Sequence, residues 1–226
     1  MRRILVDVDT QHDFVDPSGA LYVEAPPSVR EAIAELLAEA EAAGDPIVGS
    51  VDSHAYDAWE FMGNGGPFPP HCVKGTPGWL RICPDRPART RFVPMQVVEP
   101  EVRNLVGERE AGAGPRELDA ARLAAEARDG VGLLFEKEVY SLFSNPVAEP
   151  VIARLVADLG GPAAVCFDVI GYCTGGYCVD AAATGLVERG YRVRVLARAT
   201  AAIGGDEGQA RSRERLAAAG VEWVEG

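Results

Sequence analysis

The sequence is short of basic residues and of long apolar runs, and both shortages narrow what the protein can do. Lysine and arginine number 22 against 34 aspartate and glutamate residues, so the formal net charge is −12. A surface of this sign repels nucleic acids and anionic membranes, so we expect neither as a main partner. No apolar stretch approaches the roughly 20 residues of a transmembrane helix. A small neutral or cationic substrate is easier to accommodate.

Cysteine usage and the amino terminus indicate a compartment. The cysteines are odd in number: Cys72, Cys83, Cys166, Cys173 and Cys178. The amino-terminal residues enter a strand-like run without the apolar core of a signal peptide. We therefore expect a cytoplasmic protein whose thiols are reduced.

Short β-branched runs alternate with alanine-rich helical patterns along most of the chain. Six runs are predicted as strands: 4–9, 46–52, 132–137, 163–172, 191–200 and 221–224. Helices are predicted at 28–44, near 147–159, at 178–190 and at 206–220. This alternation predicts one α/β domain over residues 1–226, a doubly wound three-layer sandwich with a mostly parallel, six-stranded sheet.

The segment from about 62 to 131 departs from this alternation. It opens with a glycine- and proline-rich loop, GNGGPFPPHC, and continues with scattered charge until a predicted helix near 115–128. We predict a loop and helix excursion over the rim of the sheet, and not a second domain. Long loops of this kind are often lids or subunit contacts.

Several reactive residues follow directly on predicted strands, where ligands bind in sheets of this class. Asp9, Asp52 and Lys137 each close a strand, and the loop YCTGGYC at 172–178 follows another. Each residue also has an ordinary structural reading, such as an aspartate that caps a turn or a lysine that reaches solvent. Their convergence from separate strands predicts a functional site.

The two cysteines of the 172–178 loop differ in their position relative to the next helix. Cys178 begins the predicted helix, whose unpaired N–H groups and positive dipole end stabilise a thiolate. Cys173 ends the strand and is interpreted as backbone scaffold. Free cysteines are also common as small buried apolar residues, so position alone leaves both readings of Cys178 open.

Four separated motifs resemble the isochorismatase-like cysteine hydrolases, and the nicotinamidases in particular. They are VDTQHDF (8–14), VDSHAYDAWEF (51–61) with PPHCVKGTPG (69–78), EKEVYSLF (136–143) and YCTGGYCV (172–179). The first is similar to the D-x-Q-x-D-F motif of that family and the second to its metal-site region. The third is similar to the catalytic-lysine segment, and the fourth to the nucleophile loop.

The resemblance implies a catalytic triad in which Asp9 takes the thiol proton, Cys178 attacks an amide carbonyl and Lys137 holds both in place. It also implies a non-proline cis peptide at Cys173–Thr174 and an oxyanion hole formed by the N–H groups of Thr174 and Cys178. The activity that it implies is hydrolysis of nicotinamide to nicotinate and ammonia through a cysteine thioester, in NAD salvage and pyridine nucleotide biosynthesis.

A divalent metal ion is the expected cofactor. Asp52 and His54 project to the same side of one strand end and, with His71, offer the nitrogen and oxygen ligands that Zn²⁺, Fe²⁺ or Mn²⁺ accepts. Many relatives carry a further histidine where this sequence has Glu60, whose carboxylate can still ligate an ion. By resemblance Zn²⁺ is favoured, and the ion binds the pyridine nitrogen of nicotinamide. Rim histidines with ordinary hydrogen bonds are the alternative, and His12 is expected not to ligate.

Other features leave the substrate more open than the chemistry. Gly175 and Gly176 replace a Thr-Asp pair that is common in the family, whereas Phe14, Phe68 and Tyr140 lie where the family has aromatic pocket walls. The alternatives are a related cysteine amidohydrolase acting on another small amide or ureido compound, and a non-catalytic relative that only binds ligands. We also expect a homo-oligomer, either a dimer or a tetramer.

Overall fold

A single sheet of seven parallel strands organises the part of the chain that the computed structural model describes, residues 1–95 and 118–225. The strands are β1 (Arg2–Val8), β2 (Ile47–Asp52), β3 (Arg89–Val93), β4 (Val131–Lys137), β5 (Val165–Thr174), β6 (Val193–Ala202) and β7 (Glu222–Val224). Their order across the sheet is β3-β4-β2-β1-β5-β6-β7, and every pairing is parallel.

Helices cover both faces of this sheet. They are α1 (His12–Val15), α2 (Pro27–Ala43), α3 (Ala120–Arg128), α4 (Ala148–Asp158), α5 (Cys178–Glu188) and α6 (Gly205–Ala218). Alternate residues of β1 enter two different apolar clusters, since Ile4 and Val6 pack on one face and Leu5 packs on the other. A central strand buried on both faces is mostly apolar, which is why Ile4, Leu5 and Val6 read as a continuous run. The buried Asp7 of the same strand is paired with Arg81. None of the helices described has the length and hydropathy of a membrane span.

The strand count of six was wrong, because β3 lies inside the segment from 62 to 131 that was predicted as an excursion. Its sequence, RTRFV, places two arginines in five residues. An edge strand has one partner and a largely exposed face, so it tolerates such residues and lacks the apolar run of a central strand. The sheet is also wholly parallel rather than mostly parallel. The predicted helix near 115–128 corresponds to α3, and residues 96–117 lie outside the described ranges.

The topology brings the predicted site residues to one rim. From β1 the chain builds the sheet outward through β2 and β4, and it then returns beside β1 to build the other half from β5. The strand order therefore reverses at β1, and ligands in doubly wound sheets bind at this reversal, beyond the carboxyl ends of the strands. Asp9, Asp52, Lys137 and the loop after β5 all lie there.

Close contact between β1 and β2 depends on Gly49, which faces Asp7 in the pairing register. A methyl group at Gly49 would lie 1.9 Å from the Asp7 carbonyl oxygen, whereas one at Gly63 would meet no atom within 4 Å. We expect Gly49→Ala to lower the free energy of unfolding by about 3 kcal/mol, because two central backbones would have to separate. Gly63→Ala should change it by less than about 0.5 kcal/mol. Urea denaturation of both variants measures the difference, and equal stabilities would contradict this account of the sheet.

Candidate active site

The ammonium group of Lys137 is the centre of the site. Its Nζ lies 2.8 Å from Asp9 Oδ2 and 3.1 Å from Asp52 Oδ1. The same nitrogen is 3.4 Å from Cys178 Sγ. Lys137 and Asp9 are wholly buried, with no exposed side-chain surface. The three residues expected to form a triad are therefore brought together, and Asp52 joins them.

Asp9 is held in one orientation by β2. The Ser50 hydroxyl donates to Asp9 Oδ1 at 2.7 Å, and the Asp9 N–H donates to the Ser50 carbonyl at 3.0 Å. Asp9 adopts a left-handed backbone with φ of 48°, a conformation in which aspartate is enriched among residues other than glycine. Sequence reasoning missed Ser50. The available signal was its spacing of two residues before Asp52, which puts both side chains on one face of β2.

Burial determines the protonation states of the triad. It raises the pKa of the Cys178 thiol well above its usual value, and the positive charge of Lys137 offsets only part of this. Burial also raises the pKa of Asp9, again against Lys137. The helix start was expected to favour a thiolate, but in the described structure burial outweighs the helix end and favours the neutral thiol. A carboxylate with a raised pKa is a stronger base than an ordinary one.

Four buried side chains converge beside the triad: Asp52, His54, Glu60 and His71. One potential ligand atom from each lies within 4.8 Å of all the others. His54 Nε2 is 3.1 Å from Asp52 Oδ2 and 3.0 Å from Glu60 Oε1. His71 Nε2 is 3.4 Å and 3.2 Å from the same two oxygens. Two ring nitrogens and two carboxylate oxygens thus surround one point.

These residues fit a divalent cation. His71 Nδ1 donates to the Pro69 carbonyl at 2.8 Å, which leaves the Nε2 lone pair directed at the cluster. His54 Nε2 is buried and makes no hydrogen bond to any described residue, although two carboxylate oxygens are near. An orphaned ring nitrogen beside carboxylate oxygens is the arrangement expected of a metal ligand. The donor set suits Zn²⁺, Mn²⁺ or Fe²⁺.

Charge balance explains the pKa values of this cluster. Although burial opposes their charge, the Asp52 and Glu60 carboxylates raise the pKa of both His54 and His71 to about 9. Burial opposes ionisation of Glu60 as well, but the two histidines lower its pKa to about 2. The carboxylates of Asp9, Asp52 and Glu60 and the one ammonium of Lys137 leave two uncompensated negative charges. Two protons on the histidines, or one divalent cation, neutralise them.

Asp52 connects the two halves of the site. Its Oδ1 accepts from Lys137, and its Oδ2 faces both histidines of the cluster. Burial opposes ionisation of Asp52, but Lys137 and the histidines lower its pKa far below the ordinary value. A single ionised carboxylate therefore contacts the triad lysine through one oxygen and faces the candidate metal group through the other.

Two residues of the first motif hold the loops that carry the site. The Gln11 side chain bonds both the N–H and the carbonyl of Asp52 at 2.8 Å, and it donates to the Trp79 carbonyl at 2.9 Å. Asp13 Oδ2 accepts from the Cys72 N–H at 2.7 Å, next to His71. The motif contained both residues, but only the tertiary contacts show what each one does.

Aromatic side chains surround the candidate metal group. The rings of Phe14 and Phe68 lie 5.6 Å and 5.9 Å from the His71 ring. Tyr140 is 42% exposed and lies 5.4 Å from the ring of Tyr177, the residue before Cys178. Two of the predicted pocket residues thus contact the histidine cluster, and the third lies at the exposed side of the nucleophile loop.

Two further residues bear on the candidate metal group: His12, which was expected not to ligate, and Phe61. His12 pairs with Asp16 at 2.5 Å and does not take part in the cluster. Phe61, which sequence reasoning missed, is fully buried with its ring 5.3 Å from the His54 ring. Its only sequence signal was its position directly after Glu60.

The nucleophile loop differs from expectation in one detail. The non-proline cis peptide lies at Tyr172–Cys173, one residue before the predicted Cys173–Thr174 bond. The β5–β6 pairing shifts its register between Tyr172 and Thr174, so the irregular backbone begins earlier than the motif suggests. Cys178 is the first residue of α5, which has no side-chain cap, and N–H groups at this end of a helix lack intrahelical partners.

Comparisons with known proteins agree with this fold. Residues 3–94 match the Isochorismatase domain family. The nicotinamidase/pyrazinamidase of Mycobacterium tuberculosis is 39% identical over 79 residues, which span 34% of this chain and 41% of that protein. The similarity therefore covers less than half of that relative's length.

Solved structures extend the comparison to the whole chain. Pyrazinamidase of Pyrococcus horikoshii, in complex with zinc, has a TM-score of 0.68 at 24% identity, with all of both chains covered. Nicotinamidase/pyrazinamidase from Bacillus subtilis has a TM-score of 0.65 at 21% identity, again over both whole chains. The protein has the α/β fold of these hydrolases. The resemblance to the isochorismatase-like hydrolases, and to the nicotinamidases among them, is confirmed.

The raised pKa values of His54 and His71 predict how an ion binds. Below pH 9 both rings hold a proton that a cation must displace, so apparent affinity should rise about 100-fold per pH unit up to that value and then level off. Calorimetric titration with Mn²⁺ near pH 7, in buffers of different ionisation enthalpy, should show release of about two protons. A His12→Ala variant, altered outside the cluster, should release the same number. Binding without proton release would contradict the assignment.

Proposed function

We propose that the protein is a metal-assisted amidohydrolase that converts nicotinamide to nicotinate and ammonia. The observation that carries this proposal is the contact of one buried ammonium, Lys137, with Asp9, Cys178 and Asp52. Through this contact the proposed nucleophile, Cys178, and its base, Asp9, lie beside the group of side chains that can bind a cation. The names of the relatives, nicotinamidase and pyrazinamidase, support the same substrate class. A cytoplasmic location, a role in NAD salvage and assembly as a dimer or tetramer belong to the proposal.

The first chemical step forms a carbon–sulfur bond. Asp9 takes the Cys178 thiol proton, and the sulfur attacks the amide carbon while the carbonyl electron pair moves onto oxygen. The N–H groups of Thr174 and Cys178 donate to that oxyanion, and each such donor contributes about 3 kcal/mol in comparable sites. Lys137 remains positively charged and stabilises both the Asp9 carboxylate and the developing thiolate.

The remaining steps release the products. The oxyanion collapses, the carbon–nitrogen bond breaks, and the leaving nitrogen takes the proton from Asp9 and departs as ammonia. Asp9 then accepts a proton from water, whose oxygen attacks the thioester carbon. Collapse of the second tetrahedral species breaks the carbon–sulfur bond, yields the carboxylic acid and returns the proton to Cys178.

The neighbouring cluster would hold the substrate ring. Asp52, His54, Glu60 and His71 would hold a divalent ion, and that ion would supply a Lewis-acidic attachment point for a ring nitrogen and for water. Phe14 and Phe68, whose rings lie within 6 Å of His71, offer apolar walls to an aromatic ring at this position. Because the ring is held in one orientation, its amide group is presented to Cys178.

A related amidohydrolase acting on another small amide or ureido compound is the second candidate. It is favoured by Glu60, which places a carboxylate where many relatives have histidine and so increases the negative charge beside the substrate. The paired glycines before Tyr177 also change the shape of the loop. A non-catalytic ligand-binding relative is disfavoured, because Asp9, Lys137 and Cys178 are all retained and in contact.

Ammonia release from a substrate panel separates these candidates. The panel contains nicotinamide, pyrazinamide and several ureido acids, each with and without a chelator. Turnover of the two aromatic amides that the chelator abolishes is the expected result. Turnover of ureido acids alone would show that the substrate is a ureido acid and not nicotinamide. Turnover of nicotinamide that the chelator does not affect would show that the reaction needs no metal.

The two loop cysteines provide a matched pair of variants. Cys178→Ala should lower kcat by at least about 1,000-fold, because no thioester can form. Cys173→Ala removes a sulfur that is equally buried in the same loop and should retain most of the activity. Iodoacetamide should label Cys178 in the wild type, and nicotinamide should protect it. Full activity of Cys178→Ala would disprove the covalent mechanism.

A further inference from the structure

The nucleophile loop, residues 172–178, is tied to α6 by one buried hydroxyl group. Ser212 lies within α6 and has no exposed surface. Its Oγ accepts from the Gly175 N–H at 2.6 Å and lies 2.7 Å and 2.9 Å from the two carboxylate oxygens of Asp180. An amide N–H can only donate and a carboxylate accepts, so the Ser212 hydroxyl proton is directed to Asp180. The hydroxyl therefore connects the loop to the first turn of α5.

The same peptide unit is also held from its other side. The Thr174 carbonyl, which belongs to the Thr174–Gly175 peptide, accepts from the Ile203 N–H at 3.2 Å. The Thr174 hydroxyl donates to the Ala201 carbonyl at 3.2 Å. Because a peptide unit is planar, fixing both its N–H and its carbonyl fixes the orientation of the plane. The contacts of Thr174 come from β6 and the turn after it, whereas the contact of the Gly175 N–H comes from Ser212 in α6.

The loop needs an external restraint because its own residues provide little. Gly175 and Gly176 have φ of 97° and 103°, and glycine has the widest choice of backbone conformations. Arg215, one turn of α6 beyond Ser212, covers the second glycine, since a methyl group at Gly176 would lie 2.7 Å from its Nη1. The same nitrogen is 3.8 Å from Asp180 Oδ1. Helix α6 thus restrains the loop where the glycines leave it free.

We infer that Ser212, oriented by Asp180, is a positioning residue that holds the 172–178 loop in its reactive shape. The inference rests on the proposed function, in which the N–H groups of Thr174 and Cys178 stabilise the oxyanion. Ser212 and Asp180 do not contact the substrate in this scheme. They act through the Gly175 N–H, which adjoins Thr174, and through the start of the helix that begins with Cys178.

The test is Ser212→Ala in the full chain. Loss of the hydroxyl frees the Gly175 N–H, so its hydrogen exchange, followed by NMR, should become at least about tenfold faster. The oxyanion forms only in the transition state, so kcat for the amide should fall at least about tenfold while KM changes less than about twofold. A merely structural role would not produce this separation of kcat from KM.

Two further variants act as controls. Ser212→Thr keeps the hydroxyl and should restore both the Gly175 protection and most of kcat. Thr200→Val removes another buried hydroxyl, which donates to the Ala197 carbonyl of its own strand at 3.1 Å, and should leave both readouts unchanged. If Ser212→Ala does not fold, Asp180→Ala is measured instead, with changes in the same direction.

The outcomes distinguish this inference from the proposed function. An active wild type combined with a Ser212→Ala variant that keeps both kcat and slow Gly175 exchange would overturn the inference and leave the proposed function intact. A wild type that hydrolyses no amide of the panel would overturn both. Faster Gly175 exchange together with a selective loss of kcat, reversed in Ser212→Thr, would support the inference.

Discussion

The site depends on the contacts between the buried ammonium of Lys137 and its carboxylate partners. Taking one unpaired charge out of water costs several kcal/mol, so a lysine without exposed surface needs carboxylate partners at contact distance. Asp9 and Asp52 supply them, and both reach Lys137 because β1, β2 and β4 are neighbours in a parallel sheet. Although burial opposes the charge, Asp52 and Asp9 raise the pKa of Lys137 well above its ordinary value. The fold therefore favours a positive charge beside the Cys178 thiol and the Asp9 carboxylate.

The same charge requirement extends into the histidine cluster. The carboxylates of Asp52 and Glu60 lie beside His54 and His71, and their negative charge raises the pKa of both histidines to about 9 although burial opposes it. A divalent cation would neutralise this negative charge equally well. A ligand set with two carboxylates attracts a cation more strongly than a ligand set with three histidines. Glu60 thus strengthens the electrostatic demand for a cation instead of weakening the case for one.

Cys178 combines two opposing influences. Its place at the start of α5 puts it at the positive end of a helix, which favours a thiolate, whereas burial favours the neutral thiol. Burial dominates and raises the pKa of the thiol, so the proposed reaction would need Asp9 as a base. The loop that carries Cys178 contains two adjacent glycines, and its shape is imposed by contacts from β6 and α6. Reactivity and geometry at this sulfur are both properties of its surroundings.

The sequence by itself determined the α/β architecture with a mostly parallel sheet and the residues at the strand ends, because each depends on periodicity, strand termini and motifs that are local in the chain. The role of Cys178 as nucleophile stays a prediction. The sequence did not reveal β3, whose arginines suit an edge strand and obscure the pattern of a buried one. The contacts of Ser50 and Ser212 were also decided only by the fold, since Ser50 bonds Asp9, 41 residues away, and Ser212 bonds Gly175, 37 residues away. Phe61 packs on His54 only in the folded loop. Protonation was likewise decided only by tertiary structure, because a pKa depends on burial and neighbouring charges, and both arise when separate strands meet.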